Sequence, residues 1–507
     1  MTSMRIEITV DRQAARRWHE RLRARLSRLL PGSSIRFRLA DGTGAFPPSV
    51  VHLLTLERLL LRRSPESLCD SVRLGEAETG GDFQPTVILD CTGRAQPPSP
   101  PVGVMVLRPL YNGEASEVAA AAALLAGSCP SIALENVNDA TLAATGLPSL
   151  EAADGLAGGL EAVASRVITL IEKVLVSPAS PVQRQPRVNS PPAPRGTAAY
   201  FLRSLAHNCA RRIYHLCCHS PHWRVGWRFN DGPGVLETGA LSGPAWSALP
   251  DLGAAFAADP FPIKWQGKTC IFFEQLDHRV GKGTIFAQEF GDTGPKSAPF
   301  LVLEEPWHLS YPFLIAHKDA LYMIPEASAS GAVSIYRCAA FPRRWECVAQ
   351  LLTGIEAADA TVFQHAGRFW MTSVVRDGVG GYSDTLAIHH APDLFGPWEE
   401  HTQRPVLIDA RLARPAGNVV ARDGGLWRPV QDCSTGYGKK LAITRIDRLD
   451  AENFSQTTTA LIAPGPLWPG NRLHTLNRWG RLECIDGAVL APKSRTLRRL
   501  TNALAGQ

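Results

Sequence analysis

Asp259, Tyr311, Asp359, Arg414 and His474 are polar side chains set at or near the head of a short pattern that recurs along the second half of the chain. Carboxylates take and give protons, an arginine holds anions, and tyrosine or histidine bonds polar ligands. Brought to one place, these five would line a ligand site with acid and base groups in it.

The recurrence itself supplies the means of bringing them together. The first copy leads with Asp259-Pro260-Phe261-Pro262-Ile263, turns at Gly267 and returns over 269–273; the second leads with Tyr311-Pro312-Phe313-Leu314, turns at Asp319 and returns over 321–324. The third leads with Asp359-Ala360-Thr361-Val362-Phe363 and returns over 369–373, and the fourth leads with Arg414-Pro415-Ala416-Gly417 and returns over 426–429. A weaker fifth runs from Arg472 to Gly480 and returns over 482–485. Each copy has the form of a hairpin.

The leading positions 259, 311, 359, 414 and 472 are 52, 48, 55 and 58 residues apart. That spacing suits four-stranded propeller blades with their loops, and five blades are expected. Innermost strands of a propeller converge on a central channel, so the five polar residues are expected at one mouth of it.

The first half is built differently, for only Trp18 of the 12 tryptophans lies before residue 220. Residues 4–10 read as a strand, and 12–30 as a helix with Ala15, Trp18, Leu22, Leu26 and Leu29 on one face and arginines on the other. That basic face can lie on an anionic membrane, or be the solvated side of a helix docked on a sheet, the reading its pattern favours. Helices are also expected over 51–61, 117–125 and 160–176, and strands over 86–90 and 102–107. This alternation indicates an α/β, partly Rossmann-like domain. No GxGxxG turn follows its first strand, so the dinucleotide fingerprint is missing. Asp90-Cys91-Thr92-Gly93, at the end of an apolar strand, reads as a structural turn in preference to a ligand site.

Six prolines among Ser, Gln and Arg over 177–195 mark a linker. The expected organisation is an α/β domain over 1–176, a linker over 177–196, a connecting helix over 197–221, the propeller over 222–490 and a tail over 491–507.

Apolar residues make up 45% of the 507 and charged ones 20%, which excludes a generally disordered chain. The balance of 53 Lys and Arg against 47 Asp and Glu, a net +6, gives no reason to expect a nucleic-acid partner. The longest apolar stretch, around 118–126, falls short of the ~20 residues of a membrane span, and the first twelve residues lack a signal pattern. A cytoplasmic location is expected, with attachment to a membrane surface left open.

Eleven cysteines without CxxC spacing suggest reduced thiols. His215, Cys217, Cys218, His219 and His222 place His215 and His219 four apart near a helix end, yet neighbouring cysteines face different sides and no usual zinc spacing results. No metal and no cofactor is expected.

The motifs Phe256-Ala257-Ala258-Asp259-Pro260-Phe261, Leu309-Ser310-Tyr311-Pro312-Phe313, Tyr322-Met323-Ile324-Pro325-Glu326, Ala413-Arg414-Pro415-Ala416-Gly417, Gln431-Asp432-Cys433-Ser434 and His474-Thr475-Leu476-Asn477 recur blade by blade. They resemble the propeller domain at the N-terminus of plant glucosamine inositolphosphorylceramide transferases, which is itself similar to the five-bladed family-43 glycoside hydrolases. The resemblance covers about 222–490. More faintly, Leu56-Glu57-Arg58 and the strand ending at Asp90 resemble a truncated formyltransferase-like domain, without the Asn, His and Asp set of a working one.

The resemblance implies a carbohydrate-active propeller whose partners are a sugar-containing small molecule or a glycolipid, with a phosphate on the ligand left open. Cleaving or transferring a glycosyl group requires one carboxyl to protonate the leaving oxygen and another to activate water or an acceptor hydroxyl. Asp259 resembles the hydrolases' base, and Asp359 the carboxylate that orients and tunes the other two. Glu326 and Asp432, each at the end of a second strand, compete for the acid. Here the chain departs from the hydrolase pattern, so glycosyl transfer to or from a phosphate stands beside hydrolysis.

Arg414 and Arg428 suit phosphate or carboxylate groups, or else a structural pair. His308, Tyr311, Gln431, Tyr437 and His474 complete the candidate substrate-binding residues. Trp307, Trp370 and Trp427 can stack on sugar faces, although blade core is the commoner fate of such rings. Two rival readings stand beside the enzyme: a sugar-binding scaffold that assists a partner glycosyltransferase, and chemistry seated in the α/β domain.

Overall fold

The computed structural model describes residues 3–60, 66–75, 83–97, 99–177, 196–250, 252–378, 381–494 and 496. The linker read over 177–195 lies outside the described residues apart from its first position, and so does nearly all of the tail from 495 on. The chain divides into two compact units, one of residues 1–208 with 377–381, the other of 209–376 with 382–507.

The first unit carries β1 (Arg5–Asp11), α1 (Arg17–Leu29), β2 (Ser34–Ala40), α2 (Pro48–Leu60), β3 (Val87–Cys91), β4 (Met105–Tyr111), α3 (Glu117–Leu125), β5 (Ile132–Asn136), β6 (Thr141–Gly146) and α4 (Gly155–Val176). Its sheet runs in the order β2-β1-β3-β4-β5-β6. The first four strands are parallel and the last two antiparallel, so the sheet is α/β with a meander at one edge.

The helix expected from residue 12 starts only at 17, because the Asp11 side chain and carbonyl accept from Gln13 and Ala14 and turn the chain first. Trp18, Leu22 and Leu26 of α1 are at most 1% exposed, which makes it the docked helix of the two readings. Glu57 accepts from the backbone of Leu156 and Ala157, both at 2.9 Å, and so satisfies two free N–H groups at the start of α4. The turn at Asp90 is closed on itself, for Asp90 Oδ1 accepts from Thr92 N at 3.0 Å and from Thr92 Oγ1 at 2.7 Å. A neighbouring loop covers it: Thr43 N donates to Thr92 O, and a side chain at Gly42 would meet that oxygen at 2.3 Å.

The helix α5 (Thr197–Cys217) passes directly into β7 (Cys218–Phe229) and the short β8 (Ser247–Ala248). Five sheets of four or five strands follow. The first blade holds β9 (Ala255–Trp265), β10 (Lys268–Asp277), β11 (Lys282–Gly291), β12 (Gly294–Pro295) and β13 (Phe300–Leu303). The second holds β14 (Ser310–His317), β15 (Ala320–Glu326), β16 (Ala332–Ala340) and β17 (Arg344–Thr353). The third holds β18 (Ala357–His365), β19 (Arg368–Val375), β20 (Thr385–Ala391), β21 (Glu399–Glu400) and β22 (Leu407–Ile408). The fourth holds β23 (Val420–Arg422), β24 (Gly425–Asp432), β25 (Lys440–Leu449) and β26 (Phe454–Ile462).

The fifth blade closes the ring from both ends of the propeller sequence. Its order is β27-β28-β7-β8, with β27 (Leu476–Trp479) and β28 (Leu482–Pro492) pairing antiparallel onto β7. A buried ion pair locks this closure, Arg228 Nε and Nη2 lying 2.8 and 2.7 Å from Glu483 Oε2. The fold is thus a five-bladed propeller, as the spacing of the repeats implied. Phe261, Phe272, Phe313, Met323, Trp345 and Met371 belong to the apolar cluster that packs the first three blades together.

The zinc-like spacing near residue 215 dissolves in the structure. The helix ends at Cys217 and His219 already lies in β7, so His215 and His219 do not share a helical face. His219 stacks on His278 at 4.3 Å between ring centroids, and His222 Nδ1 lies 3.1 Å from His278 Nε2.

Candidate active site at the channel

In the first three blades the leading residue is pushed out of its strand by the same device. Register slips at Ala258 to Phe261, Ser310 to Phe313 and Ala358 to Thr361, and Asp259, Tyr311 and Asp359 take φ of +52°, +43° and +55°. A bulge with positive φ re-aims a side chain at a cost of about 1–3 kcal/mol per residue, tolerable for Asp and unusual for Tyr. Three repetitions of it form the local basis of the site.

The re-aimed side chains join all five blades in one ring of hydrogen bonds. Asp259 Oδ2 accepts from Tyr311 N at 3.3 Å, and the Tyr311 hydroxyl lies 2.9 Å from Thr361 Oγ1. Asp359 Oδ2 pairs with Arg414 Nε at 2.6 Å, and Asn477 Oδ1 accepts from Asn418 N at 2.8 Å. Thr475 Oγ1 donates to Asp259 Oδ1 at 2.6 Å and closes the ring. All five expected residues meet here.

Their environments differ. Asp259 faces His474 Nδ1 at 3.5 Å, and Asp486 grips the same histidine at 2.5 Å. Asp486, wholly buried, also accepts from the backbone of Asp259, His474 and Thr475. Burial lowers His474, but Asp486 and Asp259 outweigh it and leave the imidazole above its ordinary value. Trp223 stacks on that ring at 3.7 Å. Burial raises Asp259, with His474 opposing. Burial also lifts Asp359 to about 7 against the pull of Arg414, and Gln431 Nε2 donates to the same oxygen at 3.1 Å.

Glu274 was not singled out by the sequence analysis. It sits in β10 opposite Ala258, as Glu326 sits in β15 opposite Ser310. Both stand 15 residues after their blade's leading residue, which is the signal that would have found it. Glu274 is 6% exposed, with His308 Nε2 at 3.4 Å from its Oε1. Burial, reinforced by Asp259, Glu326, Asp486 and Asp359, holds its carboxyl well above the ordinary glutamate range.

Glu326 and Asp432 are engaged as acceptors. Ser310 and Ser328 donate to Glu326 at 2.6 and 2.9 Å, and Ser434 donates to Asp432 through both N and Oγ. Tyr311 is fully buried, edge-on to Phe261, with its hydroxyl taken by Thr361 and Gly417, so it braces the channel and offers no stacking face. Arg428, 1% exposed, bonds the Ala413 carbonyl and Gln456. Tyr437 lies under the Arg414 guanidinium at 4.8 Å and edge-on to His474. Trp370 is blade core, and Trp307 and Trp427 pack on the edges of core clusters.

Among the described residues, Asp259, His474 and Asp486 bring potential ligand atoms within 4.8 Å of one another. Those atoms already hold each other and the backbone, and Asp486 has spent both oxygens. The trio fits a structural clasp better than a metal centre.

Residues 246–481 match the family described as glucosamine inositolphosphorylceramide transferase 1, N-terminal. Proteins of that name from Arabidopsis thaliana and Oryza sativa subsp. indica are 31% and 32% identical over 210 and 263 residues, 40% and 47% of this chain. The matched parts are 27% and 35% of those relatives, so the chain spans about a third of their length or less. Among solved structures, the family 117 glycoside hydrolase Zg3597 of Zobellia galactanivorans is 13% identical with a TM-score of 0.33, covering 48% of this chain and 77% of its own. CoXyl43, a GH43 β-xylosidase/α-arabinofuranosidase from a compost microbial metagenome, is 13% identical with a TM-score of 0.34, covering 48% and 92%. Most of the propeller, residues 246–481, is therefore of the glucosamine inositolphosphorylceramide transferase 1 N-terminal type.

Proposed function

We propose that the propeller acts on glycosyl groups, with Glu274 as general acid and Asp259 as base. The observation that carries this reading is Glu274: a buried carboxyl whose hold on its proton is strengthened by burial and by the carboxylates around it, with a long contact to a half-exposed histidine. A proton donor near neutral pH is what a departing sugar oxygen requires. The Glu274 proton passes to the bridging oxygen as the bond from C1 to that oxygen breaks. Water or an acceptor hydroxyl then bonds to C1 and gives its proton to the Asp259 carboxylate. Asp359, tied to Arg414, orients the substrate and sets the charge around the other two.

The relatives' name pairs an amino sugar with a phosphate-bearing lipid, which supports a glycosyl ligand and a glycolipid as one form of it. A second reading, a sugar-binding module that serves a partner glycosyltransferase, is favoured by two observations. The family match is to the N-terminal part of a longer transferase. Asp259 also has both oxygens engaged by protein donors.

The test is mass spectrometry of a producer-cell extract incubated with the wild type, Glu274→Gln or Asp259→Asn. The enzyme reading expects a mass change of one sugar unit with the wild type alone. A ligand retained unchanged by all three proteins would favour the binding module.

A further inference from the structure

α5 stands apart from the other helices. It runs 21 residues from Thr197 to Cys217, and no residue of it is buried. At 100° per residue, Leu202, Leu205, Cys209, Ile213 and Leu216 fall on one half of its surface. Arg203, His207, Arg211 and His215 fall on the other, with Arg212 at the border.

The four large aliphatic side chains are 65%, 44%, 61% and 75% exposed. The comparison within the chain is α1, which has the same amphipathic pattern and keeps Trp18, Leu22 and Leu26 at 1% or less. A helix so patterned and so exposed has an apolar face made for something beyond the described residues.

Charge indicates what that is. Between Glu172 and Asp231 the sequence holds no acidic residue across 58 positions, although Asp and Glu number 47 in the whole chain. The same stretch carries one lysine and eight arginines, and α5, with three of those arginines, lies within it. Cations on one face and leucines on the other are the features of a helix lying in the headgroup region of an anionic bilayer. Nucleic acid would satisfy the arginines and leave the leucines in water.

We propose that α5 is an in-plane membrane helix that attaches the protein to anionic lipid. Because α5 continues into β7 without an intervening residue, its attachment holds the propeller at the membrane surface. The inference rests on α5 alone and is independent of the chemistry in the channel.

The experiment is co-sedimentation of the full chain with vesicles of phosphatidylcholine, or of phosphatidylcholine with phosphatidylserine, at low and high salt. Binding is expected to the anionic vesicles, weaker at high salt. Arg203→Gln and Arg212→Gln should each weaken it roughly fivefold, the equivalent of about 1 kcal/mol per cation. Leu205→Ser with Leu216→Ser should weaken it at least tenfold while the melting temperature stays unchanged, since both side chains are exposed. Absence of binding to anionic vesicles, or binding that these variants leave intact, would overturn the proposal. So would a dimer in light scattering that the leucine pair dissolves, for the face would then belong to a second copy.

Discussion

In the α/β unit, Asp11, Asp90 and Glu57 are consumed by backbone N–H groups. Asp11 accepts from Gln13 N and Gly44 N, Asp90 closes its own turn, and Glu57 caps α4. In the propeller, carboxyls of the first three blades interact with one another, and burial and mutual repulsion drive Glu274, Asp259 and Asp359 upward. A carboxylate satisfied by neighbouring N–H groups stabilises a fold, whereas several crowded into one buried site raise one another's proton affinity toward the range that acid–base chemistry uses.

The largest effect should come from Glu274→Gln, which keeps shape and hydrogen-bond capacity but cannot release a proton. Turnover is expected to fall about 10²–10⁴-fold, the usual worth of general acid catalysis, measured on whichever substrate the extract assay yields. Asp11→Asn in the other unit should leave turnover within twofold. Equal losses in the two variants would erase the distinction between the regions.

Next in size is the ion pair. Arg414→Ala strands the 2%-exposed Asp359 without its cation, and removing one partner of such a pair costs about 3–5 kcal/mol. Denaturant unfolding of the propeller, followed by its tryptophans, reads this. A loss below ~1 kcal/mol would mean that the ring of leading residues does not brace the channel.

Glu57→Ala comes third. It frees two N–H groups of α4, and a loss of about 1–3 kcal/mol is expected in the α/β unit, with turnover unaffected.

The pH dependence reads the buried carboxyl of the ion pair. Asp359 has a folded value of about 7 against 3.8 unfolded, so the folded protein holds a proton that the unfolded chain releases. Its contribution to stability therefore falls as pH rises from about 4 to 7 and is level above that. In Arg414→Ala the decline should extend to higher pH, since the opposing cation is gone. Melting temperatures across that range, compared with Asp359→Asn, isolate the contribution.

The sequence carried the propeller because a blade is a local unit: strand, turn and return lie within about 20 residues, and the copies are evenly spaced. It carried the five leading residues because their polarity breaks an apolar pattern. Glu274 escaped because the returning strand of the first blade was ended at Phe273, one residue short, without aligning it on Glu326. Asp486 escaped for a different reason. Its strand β28 pairs with β7 more than 250 residues upstream, a contact that no local pattern carries. The positive φ at Tyr311 is equally illegible, because bulky residues rarely adopt it and only the surrounding blade enforces it. In the α/β unit, β5 and β6 are hard to read because their small residues give a weak periodic signal, whereas β2 alternates Ile35, Phe37 and Leu39 with two arginines and was legible as a strand.

The account centres on Glu274 holding its proton at neutral pH. Infrared difference spectra of wild type against Glu274→Gln, recorded across pH 5 to 8, read that proton through the carbonyl band of a protonated carboxyl. The account predicts a band present at pH 7 in the wild type and missing from the variant. A band that has vanished by pH 6 would show Glu274 to be an ordinary ionised glutamate and would contradict the acid assigned to it.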